Sequence, residues 1–221
     1  MSDKLKICLR SKQFYQMMYA HDFIYGYIDQ VDNEKLSKLC IENYGKRKDE
    51  DKRNRQSEDI IIPLEKEIKE IAEQMGLAYK NKFGIPLKMT KGEGNHWGQV
   101  HYEKESTQFH THLTPGGGGS DISGVYYVKV PKDSGDLIMK YKKHEFDSSK
   151  WYFPPEESKF ILFPAGLEHA VSPNQSKEPR VIISINFNYH NDKNIKLTLT
   201  PMNKKGHFQK RAFIKGKETR P

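Results

Sequence analysis

Phe109-His110-Thr111-His112-Leu113 carries two imidazoles two residues apart, and Glu168-His169-Ala170-Val171 supplies a third far downstream. Around them lie SGVYYVKVP (123–131), SGDLIM (134–139), KFILFPAGLEHAV (159–171) and RVIISINFN (180–188). These short runs are rich in β-branched and aromatic residues and are broken by Gly and Pro, so they read as strands joined by turns. Side chains alternate along a strand, which puts His110 and His112 on one face. A distant third histidine joins them only if the chain between folds back as paired strands. The pattern predicts a mononuclear metal centre of His110, His112 and His169 inside a β-sandwich or small barrel. His96 and His101 are reserve candidates, whereas His144, His190 and His207 read as ordinary surface or core residues.

RVIISINFN divides cleanly by alternation. Val181, Ile183, Ile185 and Phe187 form a plain core face, and Arg180, Ile182, Ser184 and Asn186 form the other. The second face carries a guanidinium and a hydroxyl into the expected interior. A buried, unpaired Arg is costly. No partner acid is evident on the neighbouring strands, so an exogenous carboxylate held by a bidentate pair is the expected partner. The plainer alternative is an Arg at a strand end reaching water.

Outward from this core, strands are expected around Gln99–Glu103, Phe109–Leu113, Ser123–Val130, Asp136–Tyr141, Lys159–Phe163 and Arg180–Asn188. PGGGGSD (115–121) reads as a flexible loop beside the histidine pair. A helix is expected from about Pro63 to Phe83, with Leu64, Ile68, Ile71, Met75, Ala78 and Phe83 as its apolar stripe. A shorter helix carries Leu36, Leu39, Cys40 and Tyr44, capped by Asp32 or Asn33 and ended by Gly45. One or two strands are expected within Lys4–Phe23. The charge run GKRKDEDKRNRQSED (45–59) reads as an exposed loop. These elements divide the chain into an N-terminal support region (1–86), a β core (87–190) and a basic extension (191–221).

The 221 residues carry a net charge of +8. Residues 201–221 hold seven Lys/Arg against one acid, so the tail accounts for most of that excess. Such a tail suits nucleic acid or an acidic partner, although a solvated extension is the commoner case. Cys8 and Cys40 are the only cysteines, too few for a disulfide framework. With no apolar stretch of about 20 residues and no apolar run in MSDKLKICLR, the expectation is a soluble protein of the reducing cytoplasm without a membrane span.

Residues Gln99 to Asn188 resemble the double-stranded β-helix core of iron(II)- and 2-oxoglutarate-dependent oxygenases, particularly the prolyl-hydroxylase-like branch. They are similar also to oxygenases of phage genomes. The resemblance rests on Tyr102, then His110-Thr111-His112, then Val125-Tyr126-Tyr127-Val128, Ser134-Gly135, Pro155 to Phe163, His169 and Arg180, in that order. It implies a jelly-roll core with N-terminal helices buttressing one sheet. It also implies iron(II), 2-oxoglutarate and dioxygen as cofactor and co-substrates, and hydroxylation of a C–H bond. His110 and His169 become iron ligands. Arg180 would hold the C5 carboxylate of 2-oxoglutarate, with Tyr127 as partner and Tyr102 and Ser184 as further contacts. The substrate is not encoded; the likeness points first to a peptidyl side chain, with nucleic acid or a small metabolite as alternatives. Substrate choice is expected in loops 103–109, 114–122 and 142–154.

The chain departs from its family at His112, where a carboxylate is usual. Either His112 ligates directly, which its place on the strand favours, or Asp121 swings in from the glycine loop, or water or an anion takes the position. His-x-His with PAGLEH (164–169) is similar as well to the cupin motifs, which need no 2-oxoglutarate. That alternative lacks the expected glutamate after the pair and leaves Arg180 unexplained. A third alternative is a non-catalytic β-sandwich binding protein without metal.

Overall fold

The computed structural model describes residues 13–18, 21–44, 62–91, 95–113, 119–144, 147–190, 195–196 and 213–214. The chain forms two compact units, Met1–Tyr189 and His190–Pro221. In the second, strand Ile195–Lys196 pairs antiparallel with Phe213–Ile214. The rest of the basic tail, Gly45 and the 45–59 charge run lie outside the described residues, as does Cys8.

The described residues of the first unit form eleven strands: β1 (Gln13–Met18), β2 (His21–Tyr27), β3 (Leu87–Met89), β4 (His96–His101), β5 (Thr107–His110), β6 (Ile122–Lys129), β7 (Leu137–His144), β8 (Asp147–Phe153), β9 (Lys159–Pro164), β10 (Glu168–Val171) and β11 (Arg180–Tyr189). The larger sheet runs β1-β2-β9-β6-β11-β3, with β4 also on β11; the smaller runs β5-β10-β7-β8. Every pairing is antiparallel. Among the described residues the architecture is mostly β with two helices, the expected jelly roll.

The helices are α1 (Asn33–Tyr44) and α2 (Lys66–Phe83). Asp32 Oδ1 accepts the Lys35 N–H at 2.9 Å and caps α1. Gly84, at φ +73°, ends α2, its N–H donating to Lys80 O. The helix begins three residues later than the sequence suggested, and Leu64 is exposed rather than in the stripe. Proline at position 63 starts an extended lead-in instead of a first turn.

Alternation sorts the larger sheet into two faces. Tyr126, Val128, Phe160, Leu162, Val181, Ile183, Ile185 and Phe187 pack with Ile68, Ile71 and Met75 of α2 and with Leu36 and Cys40 of α1. The opposite face presents Val125, Tyr127, Ile161, Phe163 and Ile182 to Leu137, Met139, Leu167 and Val171. That inner layer holds the site. The stretch 142–154, expected as a loop, is largely strand: β7 runs to His144 and β8 covers Asp147–Phe153. Its run of Ser and Lys hides the alternation, and β8 is an edge strand, where charged residues are at home.

α2 sits close because β6 offers a glycine beneath it. A Cβ on Gly124 would lie 2.9 Å from Met75 Sδ and 3.0 Å from Leu162 Cδ2. Gly124→Val should therefore cost roughly 1–3 kcal/mol by overpacking. Urea unfolding of the metal-free protein measures this, and unchanged stability would contradict the close seating of α2.

Candidate metal centre and anion pocket

β5 and β10 pair with His110 opposite His169. Their rings lie 4.3 Å apart between centroids. His112 comes two residues beyond the end of β5, so strand alternation does not orient it. Its backbone N–H instead donates to Ala165 O at 2.9 Å, which turns the chain back over β10. The three side chains each offer a ligand atom, all within 4.8 Å of one another. His110 Nε2 and His112 Nε2 are 3.1 Å apart. On an octahedral ion with bonds of about 2.1 Å, neighbouring nitrogens lie roughly 3.0 Å apart.

The tautomers follow from the partners on the far side of each ring. His110 Nδ1 meets Gln108 O at 2.8 Å, and His169 Nδ1 meets Leu167 O at 2.8 Å. His112 Nδ1 meets Asn186 Oδ1 at 2.9 Å. A carbonyl oxygen only accepts, so each Nδ1 carries the proton and each Nε2 keeps a lone pair for the centre. Burial, reinforced by His110 and His112, pulls His169 down to about 3, so it is neutral and ready to ligate.

The other candidates fall elsewhere. Asp121 is exposed, and its carboxylate accepts the Tyr189 N–H at 2.7 Å, outside the cluster. His96 Nε2 pairs with Ile62 O at 3.0 Å, and His101 Nε2 with Thr107 Oγ1 at 2.9 Å.

The imidazoles open onto a pocket between the two sheets. Val125, Leu137, Val171 and Ile182 form its apolar wall, and Arg180, Tyr127 and Ser184 contribute polar groups. Arg180 is 1% exposed. Its Nη1 donates to Ser134 O and Gly135 O, both at 3.0 Å. Its Nε and Nη2 are buried with no partner, as are Tyr127 Oη and Trp97 Nε1. Burial lowers the guanidinium only to about 10, leaving it charged near neutrality. Burial also pushes the Tyr127 phenol up, so it remains a donor. Unpaired buried donors beside a charge are expensive. Here they make a ready receptor for a carboxylate, so the residues present fit both an N-ligated metal and an organic acid.

Tyr102, expected as a co-substrate contact, is corrected by the structure. It follows His101 on β4, and its ring packs instead on Tyr44 at 4.9 Å, against the helix-side core. The pocket-facing residues of β4 are Trp97 and Gln99, opposite Ser184 and Ile182. Sequence reasoning missed both, although alternation counted back from Arg180 through its partner strand leads to them. It also missed Ser123, whose Oγ lies 2.7 Å from His112 Nδ1.

His101 faces Arg180 across β4 and β11. Burial first, and the guanidinium second, hold it well below 6.5. A base depressed in the folded state contributes stability above its unfolded pKa and loses it as pH falls. With His169 also depressed, the metal-free protein should weaken from about pH 6.5 downward, at roughly 1.4 kcal/mol per pH unit for each proton taken up on unfolding. Urea unfolding across that window tests this, and a flat profile would contradict burial of the two neutral rings.

Residues 95–188 match the family model described as "Putative 2OG-Fe(II) oxygenase". A Pseudomonas putida prolyl-4-hydroxylase shares the fold with a TM-score of 0.51 at 16% identity, over 77% of this chain and 94% of that one. HygX of Streptomyces hygroscopicus, solved with nickel and 2-oxoglutarate, gives a TM-score of 0.52 at 9% identity, over 75% and 82%. SnoK, an alpha ketoglutarate dependent carbocyclase from nogalamycin biosynthesis, gives 0.50 at 11%, over 75% and 78%. No curated protein matches the sequence. No helix among the described residues is long and apolar enough to cross a membrane. Residues 95–188 are thus similar to a family whose members use iron(II), 2-oxoglutarate and dioxygen, and the shared jelly roll and the histidine cluster agree with that likeness.

Proposed function

We propose that this chain hydroxylates a C–H bond of a peptidyl substrate, with His110, His112 and His169 holding iron(II) and Arg180 and Tyr127 holding 2-oxoglutarate. The observation that carries the reading is the meeting of three Nε2 lone pairs and unpaired buried donors in one pocket. Iron(II) held by His110, His112 and His169 would, with 2-oxoglutarate and dioxygen, supply the oxidising power, with succinate and carbon dioxide as co-products. The protein's own residues bind and orient. Arg180 pairs with the distal carboxylate, and its remaining N–H groups suit a charge-assisted bond. Tyr127 donates a second hydrogen bond. Ser184 lines the same wall, and the apolar side chains keep water away.

The prolyl-4-hydroxylase of shared fold supports a peptide as first substrate class, by fold-level analogy alone. The exposed Leu113, next to His112, adds an apolar surface beside the site. Unpaired Arg180 Nε and Nη2 favour this reading over the cupin alternative, which has no task for them.

Succinate production from 2-oxoglutarate, measured over proline-containing peptides, amino acids and nucleic acids, tests the reaction. Stimulation by peptides is expected, and stimulation by another class alone would replace the peptide. Arg180→Ala should weaken 2-oxoglutarate by about 2–5 kcal/mol while metal binding survives. Arg180→Lys should recover only part of this, because a point charge lacks the guanidinium fork. Calorimetric titration measures both, and unaltered affinity in Arg180→Ala would favour the cupin-type alternative. His169→Ala should lose most of the metal.

A further inference from the structure

We infer that Ser123 and Asn186 form a hydrogen-bonded seat for His112 and are positioning residues that make an imidazole the third ligand of the centre. This rests on the three-histidine reading given above. His110 and His169 sit on paired strands, and each Nδ1 finds a backbone carbonyl two residues earlier in its own segment. His112 lies past the strand end and has no sheet register to aim its ring. Its Nδ1 is met by side chains 11 and 74 residues away.

The seat is itself tied together. Ser123 Oγ–H donates to Asn186 Oδ1 at 3.1 Å, and His112 Nδ1–H reaches Asn186 Oδ1 at 2.9 Å and Ser123 Oγ at 2.7 Å. Ser123 and Asn186 face each other in register across β6 and β11. Asn186 is anchored on both sides of its backbone, its N–H donating to Asn95 O and its carbonyl accepting the Thr90 N–H. The Trp97 ring lies 5.3 Å from the His112 ring. A neutral hydroxyl and a neutral amide therefore hold the proton on Nδ1 and aim Nε2 at the centre. Partners of this kind tune ligand basicity and metal affinity.

The test is a mutant cycle read by cobalt(II) affinity of the metal-free protein, with thermal unfolding of each variant as a check on folding. Asn186→Leu should weaken cobalt roughly 10–100-fold, and Ser123→Ala by less. Asn186→Asp, which keeps an acceptor for Nδ1–H, should retain the wild-type affinity or exceed it. In the His112→Ala background, Asn186→Leu and Ser123→Ala should change nothing further. Equal losses in both backgrounds would overturn the seat, and so would unchanged affinity in Asn186→Leu when His112→Ala itself is impaired. Unchanged affinity in His112→Ala would remove the three-histidine reading and the seat with it. Failure of Asn186→Asp to bind, with its fold intact, would also count against the seat.

Discussion

β11 is covered on both faces, and the alternation of its side chains is the constraint on which the rest depends. Val181, Ile183, Ile185 and Phe187 must meet the helices, so Arg180, Ile182, Ser184 and Asn186 must point between the sheets. A slip of one residue would turn the guanidinium toward the helix-side core and four apolar side chains into the pocket. Pairing with β4, β6 and β3 fixes that register along the whole strand. The same strand thus places Arg180 at one end of the pocket and Asn186 beside His112 at the other.

Legibility from sequence followed the strength of the local signal. RVIISINFN and the α2 stripe have clean periods, and their faces follow from alternation and helical spacing except at Leu64, which lies before the helix and is exposed. The three histidines were legible because His-x-His and a strand-borne third His constrain each other. Tyr102 lies one residue past the end of β4, and its motif position does not tell that its ring turns to Tyr44. β8 was invisible because Ser148, Ser149 and Lys150 satisfy an edge strand without an apolar alternation. Ser123 and Asn186 belonged to assigned strands, but nothing in either sequence context tells that His112 lies beyond β5 and needs a partner. Such roles arise from long-range contact, which a single sequence does not express.

Arg180 also shows how the pocket depends on a turn. Gly135 has φ +86°, and a Cβ there would meet Ser172 O at 2.5 Å. Only glycine fits that turn comfortably. Its carbonyl, with that of Ser134, takes one guanidinium nitrogen and leaves the others to face the cavity. The backbone between β6 and β7 therefore sets the direction of the fork.

Among the described residues lining the cavity there is no Asp or Glu. With imidazoles at one end and a guanidinium at the other, negative charge there must come from what enters. On the proposed reaction, succinate would keep the C5 carboxylate and carry a new one at the former keto carbon, so charge alone would not eject it after turnover. If the pocket takes 2-oxoglutarate as proposed, discrimination between the two would fall to chain length and the keto oxygen, and product retention would act as a brake. Assay buffers built on small dicarboxylic acids would act as competitors for the same reason.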